Sequence, residues 1–176
     1  MNPHNIAPGL DGGVDPAAFR SALAQLAAGV VVVTSTDSAG RPAGVTATAV
    51  CSVSLEPPLV LVCLGAGSRT RETIASSGRY AINVLASDHR LHAERFATAG
   101  DGKFDGLSWK PGRSGCPVLP DSIAVCECDV EKTIEAGDHT VFIGRVIGAT
   151  ATESPHSRPL VWYRGRYART SVEDVE

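Results

Sequence analysis

Between Gly44 and Cys63 the chain carries two apolar, β-branched runs, Val45–Leu55 and Leu59–Cys63, parted by Glu56-Pro57-Pro58. Val and Thr favour pleated, half-buried surfaces, and paired prolines do not sit inside a central strand. The pattern predicts a strand, a sharp connection and a second strand. Within the first strand Thr46, Thr48, Val50, Ser52 and Ser54 fall on one face. Val45, Ala47, Ala49, Cys51, Val53 and Leu55 fall on the other. A strand built only for packing carries large apolar residues at alternate positions. Here small hydroxyl side chains give a flat polar ligand both hydrogen bonds and close approach to the backbone. A half-exposed strand whose Thr and Ser face water gives the same pattern, and periodicity does not separate the two.

The flanking pattern extends this picture. Asp15-Pro16 opens a helix as N-cap and first helical residue, Phe19, Leu23 and Leu26 recur at helical spacing, and Gly29 supplies the stop. Val30–Thr36 is a strand, and the turn at 37–41 makes a hairpin with the strand Ala43–Leu55. A helix is predicted over 69–76, a strand over 79–85 and a helix from Ser87 or Asp88 to about Ala97. Residues 100–120 form a long Gly- and Pro-rich segment, of the length that usually serves function. In the strand 122–135, Ala124, Cys126, Cys128 and Val130 share one face, while Glu127, Asp129 and Glu131 share a wet one. Strands over 140–149 and 159–167 complete the chain, the last with a turn at 164–166. The expectation is mainly β with short helices, antiparallel, as a barrel or a sandwich. One domain spans 15–168, between a flexible tail or partner-bound arm at 1–14 and a second tail at 169–176.

Charge and cysteine content narrow the class. The net charge of −3, with no basic cluster, argues against nucleic acid as partner. No apolar run reaches the ~18 residues of a membrane span, and the first residues lack a signal-peptide pattern. Five cysteines, an odd number, fit a reducing compartment, so a cytoplasmic setting is expected. Cys126 and Cys128 share a strand face and read as buried thiols; Cys51 and Cys63 read as apolar spacers.

Candidate chemistry gathers in a few places. Gly65-Ala66-Gly67-Ser68-Arg69-Thr70 is neither G-x-G-x-x-G nor a Walker loop. It is a glycine turn opening a helix with Ser68 as N-cap. The free N–H groups and positive end of that helix suit a phosphate, helped by the Ser68 and Thr70 hydroxyls and the Arg69 guanidinium. A capped surface helix without ligand fits equally well. His89 and His92 stand three residues apart with no third ligand in spacing, and read as solvent-facing histidines rather than a metal pair. His139, after Gly137-Asp138, lies at the mouth of a hairpin, either facing water or offering a donor to a ligand. Tyr163-Arg164-Gly165-Arg166-Tyr167 is a surface turn or a place to stack a base and meet a phosphate.

GVTATAVCSVSLEPPLVLVCL (44–64) resembles the flavin-binding strand pair of the flavin reductase family, the small reductase partners of two-component flavin-dependent monooxygenases. FRSALAQLAAGVVVVTS (19–35), SRT (68–70), YAINVLASDH (80–89), RFA (95–97), KFDG (103–106), AGDHTVFIGRV (136–146) and PLVWYRGRY (159–167) extend the likeness in order and spacing from about Phe19 to Tyr167. The resemblance implies an FMN-binding split β-barrel that forms a homodimer, with flavin near the subunit interface. It implies FMN or FAD bound along Thr46, Ala47, Thr48, Ala49, Val50, Ser52, Val53 and Ser54, with Cys63 also among the cofactor-binding residues. The flavin phosphate then lies at Ser68, Arg69 and Thr70, and Phe104 covers the flavin or the nicotinamide. His139, matching the family's G-D-H, is the catalytic candidate and meets the nicotinamide of NADH or NADPH; Tyr163 and Arg164 lie near the nucleotide. The implied activity is hydride transfer from nicotinamide to flavin, with the reduced flavin passing to a separate monooxygenase. An electron-transfer flavoprotein without a pyridine nucleotide site, and a flavin-free interaction barrel, are the competing readings. FMN against FAD and NADH against NADPH stay open.

Overall fold

The computed structural model describes residues 13–120, 122–152 and 157–171; of the expected tails at 1–14 and 169–176, residues 1–12 and 172–176 lie outside them. In chain order the elements are α1 (Pro16–Leu23), β1 (Ala28–Gly29), β2 (Val31–Thr36), β3 (Pro42–Ala47), β4 (Val50–Ser54), β5 (Leu59–Gly65), α2 (Arg69–Ser77) and β6 (Arg79–Val84). Then follow α3 (Arg90–Ala97), β7 (Lys110–Pro111), β8 (Pro117–Val118), β9 (Ala124–Ala136), β10 (His139–Ala151), β11 (Leu160–Tyr163) and β12 (Arg166–Arg169). A seven-stranded antiparallel sheet runs β3-β2-β6-β9-β10-β5-β4, beside a three-stranded sheet β1-β11-β12 and the small pair β7-β8. No helix among the described residues is long and apolar enough to cross a membrane.

The expected single strand Ala43–Leu55 is two strands. β3 pairs with β2 and β4 pairs with β5, so consecutive segments occupy opposite edges of one sheet. Thr48 and Ala49 form the corner between them, pinned where Cys63 N donates to Ala49 O at 3.0 Å. One straight strand cannot serve two edges; breaking it lets the sheet curl. The break also shifts the alternation. Val50 packs against the core with Val45 and Ala47 instead of sharing a face with Thr46. A register shift between Ser52 and Ser54 disturbs it again, and Cys51, expected as an apolar spacer, is exposed.

β2 is buried along both faces because it divides two cores. Val31 and Val33 join Val62, Ile74, Tyr80, Ile82, Cys128 and Phe142 within the curled sheet. Val30 and Val32 point to Leu85, Ala93, Phe96, Leu119 and Leu160 beneath α3. Two buried faces make a continuous apolar run rather than an alternating one.

Five further expectations change in detail. Asp15 caps α1 by accepting from Ala18 N at 3.0 Å, but the helix ends at Leu23, and Gly29 pairs with Val161 in β1 instead of acting as the stop. α3 begins at Arg90, later than expected, because Ala86 and Ser87 are taken up by backbone pairing with Pro159 and Arg158. His89 and His92 are half-buried, their rings edge to face at 5.0 Å, rather than facing solvent. The last expected strand is the hairpin β11–β12, turned at Arg164-Gly165 where both φ are positive, 49° and 73°. Arg169, assigned to the tail, is the last residue of β12.

The wet face expected for β9 holds for Asp129 and Glu131 but not Glu127. Glu127 accepts from Ser114 N at 2.7 Å and Ser114 Oγ at 2.8 Å, so the 112–116 loop covers it. Cys126 and Cys128 do face the core.

Burial pushes the Cys128 thiol up to about 12, with the neighbouring Cys126 adding to the effect, and burial raises Cys63, Cys116 and Cys126 as well. A raised folded value means stability that is complete below the unfolded thiol's range, about 8.5. That stability is lost as pH climbs from there towards 12. The urea midpoint is therefore expected to fall between about pH 8.5 and 11; a midpoint constant over that span would contradict the buried-thiol core.

Candidate functional site

A cleft of about 520 Å³ opens between the start of β3, the loop from β5 into α2, and the segment after α3. Residues Arg41–Val45, Gly67–Thr70 and Ala97–Asp105 line it. Its polar end is the start of α2. Ser68 caps that helix, its Oγ accepting from Arg71 N at 3.4 Å. Arg69 and Thr70 are the first two helical residues, whose N–H groups have no intrahelical acceptor. A Cβ at Gly67 would meet nothing within 4 Å, so the backbone there is open to a ligand. Orphan N–H groups, the positive helix end and Arg69 form a donor set that fits a phosphate.

The apolar end is aromatic. Phe104 stands edge to face on Phe96 at 5.0 Å and Trp109 at 6.0 Å. Gly44 is held to glycine by this packing: a Cβ there would lie 2.6 Å from Phe96 Cε1. Lys103 Nζ donates to Gly44 O at 3.2 Å and Phe96 O at 3.1 Å, fastening the segment after α3 onto β3. Burial pulls the Lys103 ammonium below the usual lysine value. Arg69 forms an ion pair with Asp101 across the mouth.

The tip of the β9–β10 hairpin lies against the same loop. Gly137, φ +63°, opens a two-residue turn that sets His139 opposite Gly65. His139 Nε2 stands 3.9 Å from the Cβ position of Gly65, and Ala66 N donates to Asp138 O at 2.9 Å. Nδ1 of His139 is 2.7 Å from Asp138 Oδ1, a bond that holds the Asp138 carboxyl below its ordinary range. Behind the tip, Arg71 Nε donates to Thr140 Oγ1 at 2.6 Å and its Nη2 to Glu135 Oε1 at 3.2 Å. Thr140 Oγ1 in turn donates to Glu135 Oε2 at 2.9 Å. Sequence reasoning missed Arg71, Glu135 and Thr140, whose link joins the helix to a hairpin 64 and more positions away. A threonine in an apolar strand next to the G-D-H motif was the available signal.

Of the residues picked out from sequence, Ser68, Arg69, Thr70 and Phe104 meet at the cleft, whereas His139 does not line it and stands opposite Gly65, at the start of the adjoining loop. Thr46 spends its hydroxyl proton on Ala93 O at 2.7 Å, tying β3 to α3. Ala47 and Val50 pack on the core side, Thr48 and Ala49 make the corner, and Cys63 is half-buried behind it. Ser52 and Val53 are exposed on the edge strand β4, with Ser54 half-buried. Tyr163 and Arg164 do not line the cleft. Arg164 donates twice to Gln25 Oε1, at 2.9 and 2.7 Å, and its guanidinium lies 5.3 Å from the Tyr163 ring centre.

A curled antiparallel sheet thus brings a phosphate-type helix start and an aromatic wall to one cleft, with a hairpin histidine against the adjoining loop. The chain belongs to the flavin reductase like domain family, whose model matches residues 23–171. It is 46% identical over 153 residues to a probable flavin reductase of Rhizobium meliloti (strain 1021), covering 87% of this chain and 48% of that protein. The chain thus spans about half the length of that relative. It is 41% identical to the flavin reductase (NADH) of Kitasatospora aureofaciens, covering 98% of this chain and 89% of the relative. Among solved structures, a homologue of nitrilotriacetate monooxygenase component B from Mycobacterium thermoresistibile matches with a TM-score of 0.84 and 34% identity, covering 88% of this chain and 86% of that one.

Proposed function

We propose that this chain transfers hydride from NADH or NADPH to FMN or FAD and supplies the reduced flavin to a separate flavin-dependent monooxygenase. The observation that carries the reading is the placement of a phosphate-type helix start beside His139, across one short loop, in a chain of this family. The flavin supplies the two-electron acceptor and the nicotinamide the hydride. The protein's part is to bind and align them. Ser68, Thr70 and the first N–H groups of α2 hold the flavin phosphate, with Arg69 as the charge partner. Phe104 walls the ring, which extends from the cleft past Val45 towards the Thr48-Ala49 corner. His139, oriented through Nδ1 by Asp138, offers Nε2 to the nicotinamide carboxamide. Tyr163 and Arg164 serve the far end of the nucleotide.

The working unit begins at residue 15 and runs through β12, Arg169 included. A homodimer fits the apolar side chains left exposed on and beside α1, Phe19, Leu23 and Leu26, and near the edge strand β4, Val53 and Leu55. A cytoplasmic setting fits the five free cysteines. The similarity to component B of a monooxygenase supports a separate oxygenase as recipient.

Two experiments test the reading. Purified protein is expected to oxidise NADH or NADPH only when FMN or FAD is supplied, and failure with both flavins would overturn it. His139→Ala is expected to raise KM for the nicotinamide about tenfold while leaving flavin affinity unchanged, consistent with loss of one ligand hydrogen bond. An unchanged KM would remove His139 from the nicotinamide site.

A further inference from the structure

Three cations line the cleft, and each is engaged inside the protein: Arg41, Lys103 and Arg69. Arg41 Nε donates to Asp37 Oδ2 at 2.7 Å, and Asp37 is itself fixed by the N–H groups of Ala39 and Arg41, each at 2.9 Å. Lys103 donates to two backbone carbonyls. Neither partnership opens without unmaking a turn or the loop attachment. The Arg69 partnership is different in kind. Asp101 sits on the irregular segment after α3, its side chain 82% exposed, and among the described residues no further bond holds it.

We propose that Asp101 is a displaceable stand-in for the ligand's phosphate. It occupies Arg69 at the start of α2 and gives way when a phosphorylated ligand enters, so that it loosens the hold on that ligand and favours its release. This rests on reading the cleft as the site of the flavin phosphate. The physical basis is competition for one guanidinium. A phosphate gains the helix N–H groups, the helix end and Arg69 together, whereas the Asp101 carboxylate gains Arg69 alone. The phosphate therefore wins, but its net gain is reduced by the ion pair it must break and by repulsion from the displaced carboxylate. An exposed pair of this type is individually weak, which suits a latch that opens at each turnover.

The test is a binding cycle with FMN and with riboflavin, which lacks the phosphate, read by quenching of flavin fluorescence. Asp101→Asn is expected to tighten FMN binding about three- to tenfold, mainly through slower dissociation, and to leave riboflavin affinity unchanged. Asp105→Asn, which removes a second carboxylate from the same rim, is expected to give less than half of that gain. In an Arg69→Gln background the Asp101→Asn gain is expected to fall to what the carboxylate's repulsion alone supplies, no more than the Asp105→Asn gain, because the ion pair is already gone. Equal FMN affinity in Asp101→Asn and wild type, an equal gain for riboflavin, or an undiminished gain in the Arg69→Gln background would each overturn the proposal. Inorganic pyrophosphate titrated by calorimetry asks the same question without flavin. Tighter pyrophosphate with no flavin binding would sustain the latch and overturn the flavin reading; no gain with pyrophosphate or FMN would overturn the latch.

Discussion

Asn83→Leu is expected to lower the free energy of unfolding by about 3 kcal/mol, the cost of unmaking a buried polar network. Asn83 is fully buried in β6. Its Nδ2 donates to Val32 O at 3.1 Å, Thr34 Oγ1 at 3.2 Å and Pro117 O at 3.4 Å. Its Oδ1 accepts from Leu119 N at 2.8 Å. One amide thereby joins β2, β6 and the 117–119 segment, where the two cores meet. Leucine matches its branched shape, though it is larger, and strands the Leu119 N–H in a buried site. An orphaned buried donor costs its full desolvation, about 1–3 kcal/mol, beyond the lost bonds. Urea unfolding followed by circular dichroism measures the change. A loss below about 1 kcal/mol would show the network to be dispensable.

Gly144→Ala is expected to cost about as much, roughly 3 kcal/mol, through overpacking rather than lost bonding. A Cβ at Gly144 would lie 2.3 Å from Tyr80 Oη, 2.7 Å from Tyr80 Cζ and 2.8 Å from Cys128 Cβ. Tyr80 and Cys128 are both at 0% exposure, so neither has free space to retreat into. The β9–β10 ladder already shifts register between Ile143 and Gly144, which concentrates the crowding at one point. For a chain of this size a loss near 3 kcal/mol lowers the melting temperature by roughly 6–12 °C. Tyr80→Phe, which removes the nearest atom, is expected to restore part of the loss in the Gly144→Ala background. An unchanged melting temperature in the single variant would contradict the packing at this position.

Local chemistry made part of the fold legible from sequence. Asp15-Pro16, Ser68 and the Gly137-Asp138 turn act within a few residues, and the structure places a helix start or a turn at each. The Ala43–Leu55 run misled because its partners are not local. Pairing with β2 on one side and β5 on the other breaks it at Thr48-Ala49, and the face assignments past the break fail with it. The site divides the same way. Ser68, Arg69, Thr70 and Phe104 lie in short motifs and converge on one cleft. Asp101, Lys103 and the Arg71–Thr140–Glu135 link gain their roles from contacts across the sheet, which no spacing rule encodes. Tyr163-Arg164 was legible as a turn, and its partner Gln25 lies 139 positions away.

The most direct test of the central claim is anaerobic. Purified protein is mixed with one equivalent of FMN or FAD, NADH or NADPH is added, and absorbance near ~450 nm, where oxidised flavin absorbs, is followed by stopped flow. Rapid bleaching with at least one nucleotide, far faster than the same mixture without protein, is the predicted result and also identifies the donor. Flavin that co-elutes with the protein and bleaches with dithionite, yet stays yellow with both nucleotides, would contradict the account and leave an electron-transfer flavoprotein in its place.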